Sequence, residues 1–564
     1  MARLQFSSVG ELKAPQNPMT PESMVEKTLA ETRLNEGMIT ALDPADINTG
    51  SLTVCRNARV RFDRTLRRPG SNLLTPTKPN SNAVIGLYYY KSNSGSVAFF
   101  RATKSSLHNL SGGTWNAITG TLSGTDADYF QFVTAFNRVF FVNNGVQPVH
   151  EINIGAGTHA TLNVSEATVP TQYRFLTAFY NRLVGAHLLG SVPDPTRIGW
   201  SSDAGITGTG LEEWNPSVNE TSGFSPLVDS PGDLADYISG IFGLTNVLLV
   251  LREQSIWLGT KNPVPSQPFN FYTAYPGIGC DCPFSASLIL NGVAWLDTRT
   301  KTVWAYAPNS TPEPISRSIE NELLRAIDDP EKVFGGYNFI ENEYSVGIPA
   351  SSSALMRIWT YNFRTKAWVY DEYEAISKIA DLPIAISGLT IDELIGTIEG
   401  LTGTINSLGP SSSTPVTRLY GRTDGEIIQE DYNFNTDTDP VVSGSTLGSQ
   451  SGVITMTLVS KDYELPEVDA YFSRVTIKLR ARRSGTVVLS YSKDNRDWVV
   501  AKSKTFTPAE VATSSNERTG MSCFIRFHKN LHCRRLNWRL TADSGDFDIE
   551  WYEIKYYPAG VYRK

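Results

Sequence analysis

Six short apolar segments, each interrupted by a turn that contains asparagine, recur between residues 88 and 348. Asparagine tolerates the positive φ of a tight turn and the flanking residues favour strands, so each segment predicts a β-hairpin. Successive asparagines are 44, 44, 65, 45 and 51 residues apart, and TAF precedes two of the turns. A period of about 40–50 residues with several strands per unit is typical of a β-propeller blade. The sequence therefore predicts a propeller body of about six blades, with hairpin turns at Asn93, Asn137, Asn181, Asn246, Asn291 and Asn342.

The 65-residue interval indicates a loop-rich insertion into one blade. Residues 189–233 are rich in Gly, Pro, Ser and Asp, the residue types that form turns and loops. We expect this segment to project from the body and to contact another subunit. A further hairpin is predicted at Asp424–Gly425; it belongs either to a blade or to a linker, so the number of blades stays at about six.

The sequence patterns outside the repeat predict an N-terminal arm and a separate C-terminal domain. Residues 1–36 form an N-terminal arm with a short helix, because Thr20–Gly37 offers a Thr N-cap, a Pro at the first helical position and a final Gly. The propeller spans 37–440 and contains a second helical pattern at Ser316–Pro330. Residues 441–564 alternate apolar and polar side chains at period two, which predicts a separate C-terminal β-sandwich.

The segment TIDELIGTIEGLTGTINSLG, residues 390–409, repeats every seven residues. A coiled coil needs three or four sustained heptads, and here there are fewer than three. Each unit also contains a glycine, which costs a helix about 0.5–1 kcal/mol relative to alanine. We therefore predict a series of short turns that each bury an Ile/Leu pair against the body.

Composition supports an all-β chain with no membrane span. Aromatic residues make up 11% of the 564 residues, with 44 Gly and 31 Pro, and no run of eighteen apolar residues occurs. Five scattered cysteines and no secretory signal indicate folding in a reducing cytoplasm. The net charge of −7 divides into +6 for residues 441–564 and −13 for the remainder. An acidic body is a poor phosphate-binding surface, although DNA can slide past it.

No residue set predicts catalysis, a cofactor or a metal. The segment Ser492–Trp498 partly matches the sialidase Asp-box, but it lacks the Gly and occurs once. We interpret it as a hairpin turn at Asp494–Asn495 followed by a packing Trp. The acidic pairs Glu341 with Glu343 and Asp371 with Glu372 are interpreted as solvated turn charges.

The thiol and imidazole groups are interpreted as structural. Their spacing at C-x4-H-x3-H-C does not fit a zinc finger, and adjacent strand residues point to opposite faces. This interpretation covers Cys523, His528, His532 and Cys533, and equally Cys280 and Cys282.

The C-terminal region carries a concentration of arginines. Arg480, Arg482 and Arg483 precede a predicted turn at Ser484–Gly485, and Arg534–Arg535 lies on another strand. These charges either protect a solvated strand edge from aggregation or form a patch that binds an acidic neighbouring protein.

Residues 34–74, LNEGMITALDPADINTGSLTVCRNARVRFDRTLRRPGSNLL, resemble the opening of tail proteins from short-tailed, podovirus-type bacteriophages. The shared layout before the first blade is Gly37, Pro44, Asn57 and Arg68-Pro69-Gly70. The family is the tail nozzle, or packaged-DNA stabilisation, proteins.

Two further segments resemble the same family. YNFRTKAWVYDEY, residues 361–373, is similar to a recurring strand pair of these proteins. The heptad segment is similar to a repeat often written with Trp where this chain has Ile391 and Ile398. The resemblance runs from about residue 34 to about residue 430, and more loosely through the terminal sandwich.

The resemblance implies a structural virion protein rather than an enzyme, made in the host cytoplasm and located in the tail. The family implies a homohexameric ring below the portal and the adaptor, or head-to-tail connector. This ring encloses the DNA exit channel and meets tail fibre or spike proteins outside. Genomic DNA passes through without specific binding, and the family supplies no catalytic residue. The alternative is a propeller-type carbohydrate-active or carbohydrate-binding phage tail protein, with Ser492–Trp498 in the sugar module.

Overall fold

The computed structural model describes residues 26–75, 77–162, 171–205, 207–228, 236–324, 327–349, 355–383, 416–431, 436–437, 452–464, 470–512, 521–543 and 545–558. Strands dominate and helices are few, so the all-β prediction is confirmed. Six short strands precede the repeat: β1 (Lys27–Thr32), β2 (Gly37–Met38), β3 (Ser51–Arg56), β4 (Ala58–Val60), β5 (Thr65–Arg67) and β6 (Gly70–Leu73).

Six groups of four antiparallel strands follow, and in each the strands pair in chain order, as in a propeller blade. The first five groups are separate sheets, and the sixth is one end of a larger sheet. Blade 1 contains β7 (Gly86–Lys91), β8 (Val97–Thr103), β9 (Ser106–Ser111) and β10 (Thr114–Ile118). Blade 2 contains β11 (Phe130–Ala135), β12 (Arg138–Asn143), β13 (His150–Asn153) and β14 (Thr158–Thr161). Blade 3 contains β15 (Tyr173–Phe179), β16 (Arg182–Leu188), β17 (Asp194–Trp200) and β18 (Gly223–Pro226).

The second half of the repeat has the same construction. Blade 4 contains β19 (Ile238–Gly243), β20 (Leu248–Arg252), β21 (Ser255–Lys261) and β22 (Phe269–Pro276). Blade 5 contains β23 (Ser287–Ile289), β24 (Gly292–Asp297), β25 (Thr302–Tyr306) and β26 (Glu313–Pro314). Blade 6 contains β27 (Phe334–Asn338), β28 (Glu343–Ile348), β29 (Leu355–Asn362) and β30 (Ala367–Glu374). The prediction of about six blades is confirmed.

The asparagine turns occupy the same place in all six blades. Each lies in the connection between the first and second strand of its blade. Backbone φ is positive at Asn137, Asn181 and Asn342, at 59°, 59° and 56°. This is the left-handed conformation that asparagine accepts more readily than most residues.

A further sheet lies between blade 6 and blade 1, and we call it the closing sheet. It contains β31 (Ile376–Pro383), β32 (Val416–Arg422), β33 (Ile427–Asp431) and, as its fourth strand, the N-terminal β6. Strand β31 contacts β27 on one side and β7 on the other. The predicted hairpin at Asp424–Gly425 joins β32 to β33, with φ of 89° at Gly425. The ring is therefore closed by an N-terminal strand.

The C-terminal strands are β34 (Thr436–Asp437), β35 (Gly452–Val453), β36 (Met456–Ser460), β37 (Tyr463–Glu464), β38 (Ala470–Ala481), β39 (Gly485–Lys493), β40 (Val499–Phe506), β41 (Met521–Cys533), β42 (Arg535–Asp543) and β43 (Phe547–Pro558). One sheet has the order β4-β5-β43-β38-β41, with β1 also on β43. The other continues from blade 6 in the order β30-β3-β36-β42-β39-β40.

The two C-terminal sheets share one hydrophobic core. Ile477 and Ile549 of the first sheet belong to the same buried cluster as Leu458 and Leu540 of the second. Five N-terminal strands, β1 to β5, lie in these sheets. A sandwich formed by residues 441–564 as a separate unit stays a prediction.

The helix predicted at Thr20–Gly37 is wrong over its described part. Lys27–Thr32 is strand β1, which pairs antiparallel with β43 from Lys27 opposite Tyr556 to Thr32 opposite Tyr552. The edge of β43 offers this segment backbone hydrogen-bond partners along most of its length, with a register shift between Thr28 and Ala30, and such tertiary pairing overrides a weak helix propensity. Residues 20–25 lie outside the described part of the chain.

The other helical predictions have mixed outcomes. Within the described part of Ser316–Pro330, helix α1 spans Glu320–Leu324, with Ile319 and Leu323 buried in the core as predicted. Three-residue 3-10 turns occur at Pro283–Ser285 and Pro330–Lys332, and helix α2 spans Pro508–Ala512. The heptad segment 390–409 lies outside the described residues. No helix in the described ranges is long and apolar enough to cross a membrane.

Part of the insertion predicted at 189–233 belongs to strands of blade 3, and part of its loop packs against blades 2 and 3. It contains β17 and β18, so the inserted loop between these strands is 201–222. In this loop Ala204, Leu211 and Trp214 are buried in one cluster with residues of blades 2 and 3. Because its composition is rich in turn-forming residues, the sequence did not predict strands β17 and β18 or the burial of Ala204, Leu211 and Trp214. Contact with another subunit stays a prediction.

Candidate functional site

A cluster of buried charges lies where the N-terminal strands, blade 6 and the closing sheet meet. Its central residue is Arg59 on β4. Arg59 Nη1 lies 2.7 Å from Asp371 Oδ2, and Nη2 lies 3.1 Å from Glu430 Oε1. The Tyr420 hydroxyl donates to Glu430 Oε1 at 2.6 Å. We call the junction cluster the set Arg59, Arg418, Glu343, Asp371, Asp381 and Glu430, whose side chains are all nearly inaccessible to solvent.

The interpretation of the acidic pairs as solvated charges is wrong for two of the four residues. Glu343 and Asp371 are buried, whereas Glu341 and Glu372 are partly exposed and pair with Arg61 and Arg56. Glu343 and Asp371 occupy inward positions of β28 and β30. Burial of a carboxylate requires a cationic partner, and here that partner is 312 residues away in sequence for Asp371.

The second buried guanidinium, Arg418, completes the cluster. It lies 3.8 Å from Glu343 and 3.9 Å from Asp381, and donates to Ser345 Oγ at 3.0 Å. Burial by itself would raise the pKa of Glu343, but the positive charges of the nearby arginines have the larger effect, so its pKa is lowered. Four carboxyl groups thus share two fully buried guanidinium groups. Burial raises the pKa of Asp381 to about 7, so this carboxyl holds a proton in mildly acidic solution.

The raised pKa of Asp381 predicts a defined pH dependence. Its carboxyl ionises near 3.8 when unperturbed and near 7 in the folded chain, so the protonated form favours folding and this contribution is lost as pH rises towards 7. We expect Asp381→Asn to increase the free energy of unfolding at pH 8 by up to about 4 kcal/mol, and to have little effect below pH 4. Urea unfolding of both proteins at the two pH values measures the difference. Glu341→Gln, at the half-exposed rim, serves as the control; an equal change at both pH values would contradict the assignment.

Two landmarks of the family resemblance, Asn57 and Arg68, lie beside the junction cluster. Asn57, in the left-handed conformation with φ of 52°, accepts from Arg68 Nε at 3.2 Å and from the backbone N–H of Glu372 at 3.0 Å. Its amide donates to the Thr455 carbonyl at 3.1 Å. The Arg68 guanidinium lies 4.1 Å from the ring centre of Tyr373, a cation–π contact. One asparagine thereby joins blade 6 to the C-terminal strands.

Gly37 occupies a position that only glycine fits. Its φ is +73°, and a Cβ there would lie 2.7 Å from Ala367 Cβ and 2.9 Å from the Trp368 carbonyl oxygen. We expect Gly37→Ala to lower the free energy of unfolding by about 2–3 kcal/mol, from backbone strain and this clash together. Gly95→Ala is the matched control, because its φ is +88° but no atom lies within 4 Å of the added Cβ. Equal losses for the two variants in urea unfolding would show that the contact with blade 6 is unimportant.

The thiol and imidazole candidates are not brought together. Cys280 and Cys282 are buried beside blade 5, and burial raises the pKa of both thiols. Cys523 and Cys533 are buried in the core near opposite ends of β41, which also carries the His528 backbone. The His532 ring packs tilted against Tyr471, with ring centres 4.7 Å apart. Across the part of the chain that the structure describes, no three His, Cys, Asp or Glu residues are grouped as metal ligands would be.

The segment Ser492–Trp498 forms the predicted turn. Asp494 and Asn495 have φ of 50° and 57°, and Asp494 Oδ1 accepts from the backbone N–H groups of Arg534 and Arg535 at 2.9 and 3.0 Å. The ring of Trp498 packs under the Arg539 guanidinium at 4.7 Å. This carboxylate therefore stabilises a turn.

The C-terminal arginines pair with acids of this chain. Arg480 lies 2.7 Å from Glu550, and Arg482 lies 2.7 Å from Asp548, which is buried. Arg534 and Arg535 both pair with Glu464. These pairs hold neighbouring strands together, and they reduce the charge available to an outside partner.

A second polar cluster lies on the propeller axis. Arg174 on β15 donates to Asn144 Oδ1 at 2.6 Å and pairs with Glu331 of the 3-10 turn before blade 6. Its guanidinium lies 5.6 Å from the Phe284 ring centre, and Phe284 packs on Tyr129 at 4.8 Å. The contacts continue to Lys378 of the closing sheet, whose ammonium lies 5.4 Å from the Tyr129 ring centre.

The axial cluster shows how the centre of the propeller is filled. Residues from four connections and two inner strands of non-adjacent blades meet there, so side chains reach across the centre of a single chain at this level. Burial lowers the pKa of Lys378 to about 8, so part of its population is neutral in mildly alkaline solution. Sequence reasoning missed both clusters, because their members are scattered over hundreds of residues.

Comparison with known proteins yields little beyond these observations. No protein-family profile matches the chain, and no curated protein matches it. A catalytically inactive virginiamycin B lyase from Staphylococcus aureus is 13% identical over 64% of this chain and 98% of that chain, with a TM-score of 0.35. A quinonprotein alcohol dehydrogenase-like protein from Bacteroides thetaiotaomicron is 10% identical over 50% of this chain and 65% of that chain, with a TM-score of 0.29. Similarities this low carry no argument about activity.

Proposed function

We propose that this chain is a structural virion protein, the subunit of the ring-shaped tail nozzle of a short-tailed bacteriophage. In this role a homohexameric ring closes the DNA exit channel below the portal and adaptor, and docks fibres or spikes outside. The observation that carries the proposal is the position of the family landmarks. Gly37 packs on blade 6, the Pro44 carbonyl accepts from the Asp462 N–H at 3.0 Å, Asn57 joins blade 6 to the C-terminal strands, and Gly70 begins the strand that closes the ring.

The contacts at the junction between blade 6 and the C-terminal strands are suited to a protein with a structural role. A closed ring needs identical heterologous contacts in every subunit, so the two faces of each subunit must keep a fixed relative geometry. Strand β3 joins blade 6 to the C-terminal sheet, and the junction cluster packs beside it. A buried network of ion pairs between these distant segments favours one arrangement of them over alternatives.

The side chains that cross the centre of the propeller help to locate the path of the DNA. Since side chains cross the centre of the propeller at Arg174, Phe284 and Tyr129, we place the exit channel between the subunits of the ring. An acidic body around such a channel would not retain phosphates. The net charge of −13 on the residues outside 441–564 supports this part of the proposal.

A DNA-retention assay tests the proposed passage of DNA. We expect filter binding with the full chain and a random duplex to show no retention at physiological salt, where nonspecific binders have dissociation constants of about 10⁻⁴–10⁻⁶ M. A basic DNA-binding protein of similar size is the positive control. Tight retention that falls steeply with added salt would contradict the proposal and indicate a nucleic-acid-binding protein.

A further inference from the structure

The connection between the first and second strands is much longer in the closing sheet than in the six blades. In each blade a short turn joins these strands, and the six turns lie on one face of the ring because the first strands run in the same direction. In the closing sheet residues 384–415 take the equivalent position, between β31 and β32. They include the heptad segment and lie outside the described part of the chain. The topology therefore directs them away from the ring at the face of the asparagine turns.

The described ends of this connection lie beside the turn of blade 6. Strand β31 contacts β27, the first strand of blade 6. The backbone N–H of Phe339, in the turn that follows β27, donates to the Asp381 carboxyl. Pro383, two residues beyond Asp381, lies opposite Val416. The chain therefore leaves β31, and returns to β32, next to the residues that form the turn of blade 6.

The turns of blades 5 and 6 expose a set of apolar side chains on this face. We call the apolar turn surface the set Leu290, Phe339, Ile340 and Phe363, of which the first three are 61%, 54% and 45% exposed. Tyr337 joins its parts: its ring centre lies 4.8 Å from that of Phe339 and 6.3 Å from that of Phe363. Leu290 and Phe363 also line one groove of about 590 Å³. Single exposed apolar residues are ordinary, but a contiguous set marks a binding surface.

Residues 390–409 match this surface in polarity and in charge. Seven of their twenty side chains are Ile or Leu. Their charged residues are all acidic: Asp392, Glu393 and Glu399. At the edge of the surface the exposed Arg364 donates to the Ile340 carbonyl at 2.9 Å, and no carboxylate in the described ranges pairs with it. An apolar segment with acidic residues thus has both an apolar surface and a cation beside the point where it leaves the ring.

We propose that residues 390–409 pack on the apolar turn surface of the same chain. The connection 384–415 is held at both ends, so it reaches up to about 50 Å from the ring at full extension, and the surface begins where it leaves β31. Tethering favours such a segment over a separate molecule of the same affinity. On the other side of the closing sheet the turn of blade 1 reads SNSGS, residues 92–96, and offers no apolar side chain. This packing is independent of the nozzle role.

Photo-crosslinking tests the proposed contact. The full chain carries p-benzoylphenylalanine in place of Phe339 and is irradiated in dilute solution. We expect a crosslink within one chain, which mass spectrometry of the digested protein places in residues 384–415. The matched control carries the same amino acid in place of Val97, which is 56% exposed and follows the turn of blade 1. This control should give no crosslink to that segment.

Three results of this experiment would overturn the proposal. A crosslink from Phe339 to a second chain would assign the apolar turn surface to contact between copies. Absence of any crosslink to protein would show that the surface is uncovered. Equal crosslinking to residues 384–415 from Phe339 and from Val97 would show that the segment has no preferred surface.

Limited proteolysis measures how firmly the segment is held. An endoproteinase specific for glutamate cuts after Glu393 and Glu399 when the segment is released from the surface. Replacing Leu290 and Phe339 together with serine is expected to accelerate this cleavage about tenfold, because two apolar contacts are lost. Val97→Ser is the control and should leave the rate unchanged. Cleavage of the double variant at the wild-type rate would contradict packing on these side chains.

Discussion

Replacing Arg59 with methionine is expected to lower the free energy of unfolding by about 3–5 kcal/mol, the cost of leaving buried charges without their partner. Three carboxylates, Glu343, Asp371 and Glu430, face this guanidinium within 2.7–3.9 Å. Methionine fills a similar volume, so the loss reports on charge and hydrogen bonds rather than on a cavity. Urea unfolding at pH 7 provides the measurement.

Two further variants test whether the loss of stability is specific to the buried charges or follows from the loss of any ion pair. Lys104→Met breaks an ion pair with Asp126 whose members are 38% and 51% exposed, and is expected to cost under about 1 kcal/mol. Adding Asp371→Asn to Arg59→Met removes one uncompensated charge and recovers part of the loss. A loss for Arg59→Met no larger than that for Lys104→Met would contradict the role of the junction cluster.

Trp214→Ala is expected to cost about 3–5 kcal/mol, as truncation of a large buried aromatic residue does. Trp214 is 2% exposed and packs on Tyr173 with ring centres 5.6 Å apart, and its Nε1 donates to the Leu211 carbonyl at 3.0 Å. Because this side chain anchors the loop 201–222, limited proteolysis should also cut the variant within that loop.

The control for Trp214 is a tryptophan outside the core. Trp498 is half-buried and packs under Arg539, so Trp498→Ala is expected to cost about 1 kcal/mol. If Trp214→Ala were as mild as this control, with the loop still resistant to protease, the loop would not be anchored by its tryptophan.

Features set by neighbouring residues were predictable from the sequence. The six asparagine turns could be located because a positive φ and flanking strand formers are local properties, and Asn137, Asn181 and Asn342 show that φ directly. The turns at Asp424–Gly425 and Asp494–Asn495 follow the same chemistry. Local sequence patterns also located the helix at Glu320–Leu324.

Features that depend on distant partners were not predictable. The strand β1 appeared helical because the edge of β43 that it joins is more than 500 residues away. Glu343 and Asp371 appeared to be solvated because the burial of a carboxylate depends on Arg59 and Arg418, which a single sequence does not connect to them.

An electron-microscopy map of the tail of the virus that carries this chain tests the proposed function most directly. The nozzle role predicts six copies in one ring below the portal and adaptor, with the exit channel between subunits and with the side chains at Arg174 and Phe284 filling the axis of each propeller. Fibres or spikes should dock on the outside of that ring. Finding the chain as a peripheral spike, or absent from the particle, would contradict the nozzle role.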